Sequence, residues 1–187
     1  MRVIAGTHRG RLLKAVPGDT TRPTTDKIKE AVFHMLGPFF QGGTCIDLFA
    51  GSGALGIEAL SRGIDHAIFI DKSPKAIHTI HRNLKALQLA DRSEVFRTDA
   101  IRALHATAKR ELTFDLILLD PPYRTIDYDT YLEEIVKLNL VNEDGLIYCE
   151  HDPETLLPSR MNHLVRMKYE KYGSTTSISI YQRGRQS

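Results

Sequence analysis

The chain has no tryptophan, only two cysteines and 7% aromatic residues, and no apolar run in it approaches the ~20 residues of a membrane span. Two cysteines exclude a disulfide-stapled scaffold. Nor does a chain of 187 residues need one, since it can bury roughly 70% of its unfolded surface as a single domain. Cys45 and Cys149 each sit inside an apolar, strand-like run and read as buried free thiols of a reducing compartment. The opening residues, Met-Arg-Val-Ile-Ala-Gly, lack the apolar core of a signal peptide. The expectation is a soluble, cytoplasmic, monomeric protein with no membrane partner. Ligand clusters are scarce too: His78 and His81 are three apart on an expected helix, but no Cys or acid accompanies them at ligand spacing, so no metal is expected.

Neither sign of charge dominates, yet the net +2 conceals a segregation. Residues 1–30 carry seven Lys/Arg against three acids and residues 160–187 carry six against one, whereas the intervening stretch has 12 against 19. Basic ends around an acidic middle suggest termini that meet a polyanion. Arg2–Ala5 and Arg11–Val16 flank a Gly-containing loop and read as a hairpin with a basic tip. His8, Arg9, Arg11, Lys14 and the following Arg22 make residues 1–22 a substrate arm too small to own a core, ahead of a catalytic core at 23–187.

From Thr24 or Thr25 as N-cap, Ile28, Ala31, Val32, Met35 and Leu36 recur at helical spacing until Gly37-Pro38. Beyond that, strands alternate with helices, which argues for a sheet whose central strands are parallel. Strands are expected at Thr44–Asp47, His66–Ile70, Glu94–Arg97, Phe114–Leu119 and Gly145–Cys149, with a closing antiparallel hairpin from Leu164–Tyr169 and Thr176–Tyr181. Helices are expected near Ala54, after Ser73-Pro74, and over Tyr128–Leu138.

The chain is organised around Thr44-Cys-Ile-Asp-Leu-Phe-Ala-Gly-Ser-Gly-Ala-Leu-Gly56, a strand running through an acid and a glycine turn into a helix. Such a turn lets backbone N–H groups approach a nucleotide-like ligand. Gly51, Gly53 and Gly56 satisfy G-x-G-x-x-G, and Asp71 follows Gly51 by 20 positions, which leaves a dinucleotide site open. Asp47 and Asp120-Pro-Pro-Tyr123 favour a different cofactor. A carboxylate four residues before Gly51 suits the ammonium of an amino-acid moiety, which NAD lacks and S-adenosylmethionine has. Asp71 would then meet its ribose and Asp99 its adenine amine. Asp47, Asp71, Asp99 and Asp120 all fall at strand carboxyl ends, where open sheets of this kind bind ligands.

Asp120, Pro121, Pro122 and Tyr123 suit a planar exocyclic amine, whose lone pair is delocalised into its ring. The carboxylate and the carbonyl between the prolines can accept its two N–H bonds while Tyr123 stacks on the base. Together the two motifs resemble those of class I S-adenosylmethionine-dependent methyltransferases acting on amino nitrogens. Arg2-Val-Ile-Ala-Gly-Thr-His-Arg-Gly-Arg11 and Arg22-Pro-Thr-Thr-Asp-Lys-Ile-Lys-Glu-Ala-Val-Phe33 resemble the RsmD family, bacterial enzymes that methylate guanine N2 in 16S ribosomal RNA. That resemblance spans essentially the whole chain. It implies an α/β, Rossmann-like class I methyltransferase fold: a seven-stranded mixed sheet of order 3-2-1-4-5-7-6, its last strand antiparallel, helices on both faces. It also implies cofactor contacts at Asp47, Gly51, Gly53, Asp71 and Asp99, and 16S RNA, free or within a small-subunit assembly intermediate, as partner. The competing readings are a DNA adenine-N6 methyltransferase, which would usually carry a target-recognition insertion not visible here, and a non-catalytic RNA-binding assembly factor on the same fold.

Overall fold

The computed structural model describes residues 1–18, 25–122 and 126–184, so Arg22 and Tyr123 lie outside the described residues. Helix α1 (Asp26–Leu36) opens where the Thr25 side chain accepts the Ile28 N–H, and stops at Gly37. The alternating part of the chain then runs β1 (Thr44–Asp47), α2 (Ala54–Ser61), β2 (His66–Asp71), α3 (Pro74–Ala86), β3 (Ser93–Arg97), α4 (Ala100–Lys109), β4 (Phe114–Leu119) and α5 (Tyr128–Lys137). It closes with β5 (Val141–His151), β6 (Arg160–Met161), β7 (Leu164–Tyr172) and β8 (Thr176–Arg183). Ser73 caps α3 and Pro74 opens it, as the sequence suggests. Helix α4 has no counterpart among the expected elements.

All eight strands form one sheet of order β3-β2-β1-β4-β5-β8-β7-β6. The central pairs are parallel, while β8 runs antiparallel between β5 and β7. This is the expected 3-2-1-4-5-7-6 order with one addition: the two-residue β6 lies outside β7, so the hairpin strands become β7 and β8. A two-residue pairing is too short to leave any alternation in the sequence.

Alternate residues of the central strands feed two cores, as in a sheet covered on both faces. Cys45, Leu116, Leu118 and Tyr148 pack under α1, α2 and α3. Ile46, Ile117, Leu119, Ile147 and Cys149 pack under α4 and α5. Both cysteines are buried free thiols, as expected. Among the described residues, no helix is long and apolar enough to cross a membrane.

The amino-terminal arm departs from expectation. It has hairpin-like pairing, with Arg2 bridging Leu12 and the Val3 N–H donating to the Arg11 carbonyl, but it is no free appendage. Val3 and Leu13 are buried in the core of the α1–α3 face. The wholly buried Glu58 of α2 accepts the N–H groups of Ile4 and Ala5 and the Nε–H of Arg62, and Lys29 Nζ lies 3.4 Å away. Too short to own a core, the arm borrows that of the domain behind it.

Candidate cofactor and target-amine site

Because β3, β2, β1 and β4 are consecutive parallel neighbours, their carboxyl ends line one edge of the sheet. The four acids therefore stand in the spatial order Asp99, Asp71, Asp47, Asp120. The structure brings the sequence-predicted acids to one edge of the sheet.

Asp47 ends β1 and is buried. Its Oδ2 accepts the Gly56 N–H at 3.2 Å, whereas its Oδ1 is buried with no hydrogen-bond partner among the described residues. Burial pushes its carboxyl up to about 7, with the Asp71 charge acting in the same direction against the backbone donors. An orphaned carboxylate oxygen is expensive unless a donor arrives. The ammonium group of an amino-acid moiety is such a donor, so the site fits the methionine end of S-adenosylmethionine.

The turn after β1 is closed by Gly53 N–H donating to the Ala50 carbonyl at 2.7 Å. Gly51 (φ +55°) and Gly53 (φ +82°) occupy the left-handed region that side chains resist. A Cβ on Gly51 would meet nothing within 4 Å, so the turn's outer face is open to a ligand. Gly56 serves a different purpose: a Cβ there would lie 2.4 Å from the Phe69 ring, so its absence lets α2 press onto β2.

Asp71 holds the turn to the next helix. Its Oδ2 accepts the Gly51 N–H at 2.9 Å and its Oδ1 accepts the Ser73 N–H at 2.8 Å, each oxygen keeping a lone pair for a hydroxyl donor. Asp99 is more committed than the sequence suggests. It caps α4 by accepting the Arg102 N–H at 2.9 Å and pairs with the Arg102 side chain at 3.3 Å.

Asp120 follows β4, one strand from Asp47. Burial drives its carboxyl well above the usual range, and the charges of Glu150 and Asp47 add to the effect. Glu150 was not singled out in the sequence. Leu119 of β4 pairs with Cys149 of β5, which sets Glu150 beside Asp120, and the side chains of both fall on the face of the sheet that carries Tyr148. Glu150 is tied at both ends: Tyr148 Oη donates to its carboxylate at 2.7 Å, and Tyr128 Oη donates to its carbonyl. The available signal was an acid closing the apolar run Leu146–Cys149, the same signal that marks Asp47. Pro121 is buried and Pro122 exposed. Both line a cavity of about 360 Å³ that also touches Tyr128 and Asp152.

The predicted arm cations divide into two kinds. Arg9 and Lys14 have exposed side chains. His8 Nε2 and the Leu87 carbonyl share a hydrogen bond at 3.0 Å, and Arg11 donates to the Ala86 carbonyl at 3.0 Å. These two basic side chains anchor the arm to the carboxyl end of α3, where the helix dipole favours positive charge.

The family model described as conserved hypothetical protein 95 matches residues 1–182. Bacillus subtilis YlbH, provisionally named an rRNA methyltransferase, is 53% identical over 183 residues, covering 98% of this chain and 99% of that protein. The Escherichia coli K12 protein named ribosomal RNA small subunit methyltransferase D is 33% identical over 189 residues, covering 98% and 90%. A solved Escherichia coli structure titled as yhhF, provisionally a methyltransferase, superposes with a TM-score of 0.84 at 31% identity over 100% of this chain and 99% of that one. With its strand-end acids, glycine turn and whole-length match, the chain belongs to the conserved hypothetical protein 95 family, together with the small-subunit ribosomal RNA methyltransferases D.

Proposed function

We propose that the protein transfers the methyl group of S-adenosylmethionine to the exocyclic N2 amine of a guanine in small-subunit (16S) ribosomal RNA. The observation that carries this reading is the adjacency of Asp47 and Asp120. One acid keeps a buried oxygen for a cation, the other heads the Pro-Pro turn, and β1 pairs directly with β4. Neighbouring strands lie about 4.8 Å apart, so a methyl donor anchored on one sits beside an amine held on the other.

S-adenosylmethionine supplies a methyl carbon that already carries a sulfonium leaving group. The protein's task is then mainly alignment, worth up to roughly 7–11 kcal/mol in well-oriented cases. Asp47 receives the ammonium, Asp71 the ribose hydroxyls, and Asp99 the adenine amine through the acceptor capacity that α4 leaves it. Asp120 and the Pro121 carbonyl accept the two N–H bonds of the target amine and turn its nitrogen toward the methyl carbon, and Tyr123 stacks on the base. As the N–C bond forms and the C–S bond breaks, the nitrogen sheds one proton, for which the Asp120 carboxylate, already accepting its N–H, is the acceptor at hand.

Guanine N2 and the 16S target rest on the segments Arg2–Arg11 and Arg22–Phe33, and contact with RNA is assigned to His8, Arg9, Arg11, Lys14 and Arg22. Transfer of tritiated methyl to small-subunit ribosomal RNA, with duplex DNA as the control, tests the reading. Label in RNA alone is expected; label in DNA alone, or in neither, overturns it.

A further inference from the structure

Asn83 of α3 joins the two parts of the molecule to which separate tasks have been assigned. Its side chain is buried. The amide nitrogen donates to the Ser52 carbonyl at 2.9 Å and to the Lys14 carbonyl at 3.0 Å, and the amide oxygen accepts the Lys14 N–H at 2.8 Å. Lys14 belongs to the basic arm. Ser52 lies between the two left-handed glycines of the cofactor turn. The partners fix the orientation of the amide without ambiguity, since two carbonyls need its hydrogens and one N–H needs its oxygen.

The rest of the arm is fastened so that this joint has leverage. Ser61 of α2 donates to the Ala5 carbonyl at 2.6 Å and accepts the His8 N–H at 2.9 Å, and Glu58 holds Ile4 and Ala5. Gly53 is the N-cap of helix α2, so arm, turn and helix share one hydrogen-bonded frame. A Ser52 carbonyl released from Asn83 would lose this part-buried bond, and so would both backbone groups of Lys14.

We propose that Asn83 is a positioning residue that couples the cofactor turn to the RNA-facing arm, so that cofactor and RNA bind with positive cooperativity. The inference rests on the assignment of these two parts to S-adenosylmethionine and RNA. A ligand on the turn fixes Gly51–Gly53 and with them the Ser52 carbonyl, which orders the amide that holds Lys14. A ligand on the arm works in the other direction. Whichever binds first orders the joint, and the second then has less to order. Linkage requires the effect to be reciprocal.

The test measures the affinity of the full-length protein for transcribed small-subunit ribosomal RNA, with and without saturating S-adenosylhomocysteine, and the affinity for S-adenosylhomocysteine with and without RNA. In the wild type both ratios should be equal and at least about fivefold, the lower end of ordinary coupling. Asn83→Ala should bring both ratios close to one. Asn83→Asp keeps the side-chain volume and the acceptor for Lys14 N–H but turns an oxygen toward two carbonyls; it should behave the same way and replaces the alanine variant should that variant fail to fold. A folded variant with lowered thermal stability but wild-type ratios assigns Asn83 to structure alone and overturns the proposal. So does a wild-type ratio of one in a protein that methylates the RNA normally. A wild type that binds the RNA but transfers no methyl fails the functional reading instead, and leaves a ratio that still decides the coupling.

Discussion

With no cation beside it, Asp47 is about half protonated near pH 7, because burial and the Asp71 charge raise its carboxyl from an ordinary 3.8 to about 7. The folded state therefore holds this proton more tightly than the unfolded chain does. Stability from this group is complete below pH 4, declines as pH rises, and levels off above 7, a loss on the order of 4 kcal/mol. Asp47→Asn removes the titration. In differential scanning calorimetry without cofactor it should raise the melting temperature at pH 8 relative to wild type and change it little at pH 4, while S-adenosylmethionine binding is lost. In the wild type, cofactor affinity should fall about tenfold per pH unit below 7, since the ammonium needs the anion; calorimetric titration at pH 5.5 to 7.5 reads this, and a flat profile would detach Asp47 from the ammonium. Asp120→Ala should lower the single-turnover methyl-transfer rate by a factor of 100 or more, the scale of a positioned proton acceptor, with cofactor affinity nearly unchanged. Asp47, Asp71 and Asp120 were legible because each ends an apolar run just before a turn. Asn83 and Glu58 were not. Asn83 reads as an ordinary polar residue of an amphipathic helix and Glu58 as a lone acid in the mainly apolar α2, and only the docking of the distant arm gives them their arm partners.

At the scale of elements, alternation and capping residues marked out the parallel strands and four of the five helices. Helix α4 escaped because its buried stripe is Ala100, Ala103, Leu104 and Thr107, mostly small residues with a weak periodic signal. The hairpin is legible, but not its docking: nothing in the sequence separates the buried Val3 and Leu13 from the neighbouring Ile4 and the exposed Leu12, and the core they enter is built by α1, α2 and α3. Glu58→Ala would leave Lys29 and Arg62 buried without their acid and release two arm N–H groups. It should cost about 3–5 kcal/mol, read as a fall of roughly 6 °C or more in melting temperature. For RNA, replacing Arg9, Arg11 and Lys14 together should reduce the log-log salt slope of binding by roughly 2, at about 0.7 per phosphate contact. Part of any stability loss in that variant belongs to Arg11, which also holds the end of α3. An unchanged slope in a folded triple variant would take the arm out of the RNA site.

The whole molecule is one sheet with a functional edge. Strand order puts the acids proposed for ammonium, ribose and adenine on β1, β2 and just after β3, and the turn proposed to hold the amine after β4. The glycine spacing alone left a dinucleotide open; the orphaned oxygen of Asp47 and its position beside Asp120 favour a methyl donor instead. Along the sequence, basic ends enclose an acidic middle, a charge pattern that suits a polyanionic partner and a cationic cofactor. The most direct test is the identity of the product. The protein is incubated with S-adenosylmethionine and small-subunit ribosomal RNA, the RNA is digested to nucleosides, and these are separated and weighed by mass spectrometry. N2-methylguanosine formed by the wild type and absent with Asp120→Ala is the predicted result, whereas N6-methyladenosine, or an RNA left without any new methyl group, would contradict the account.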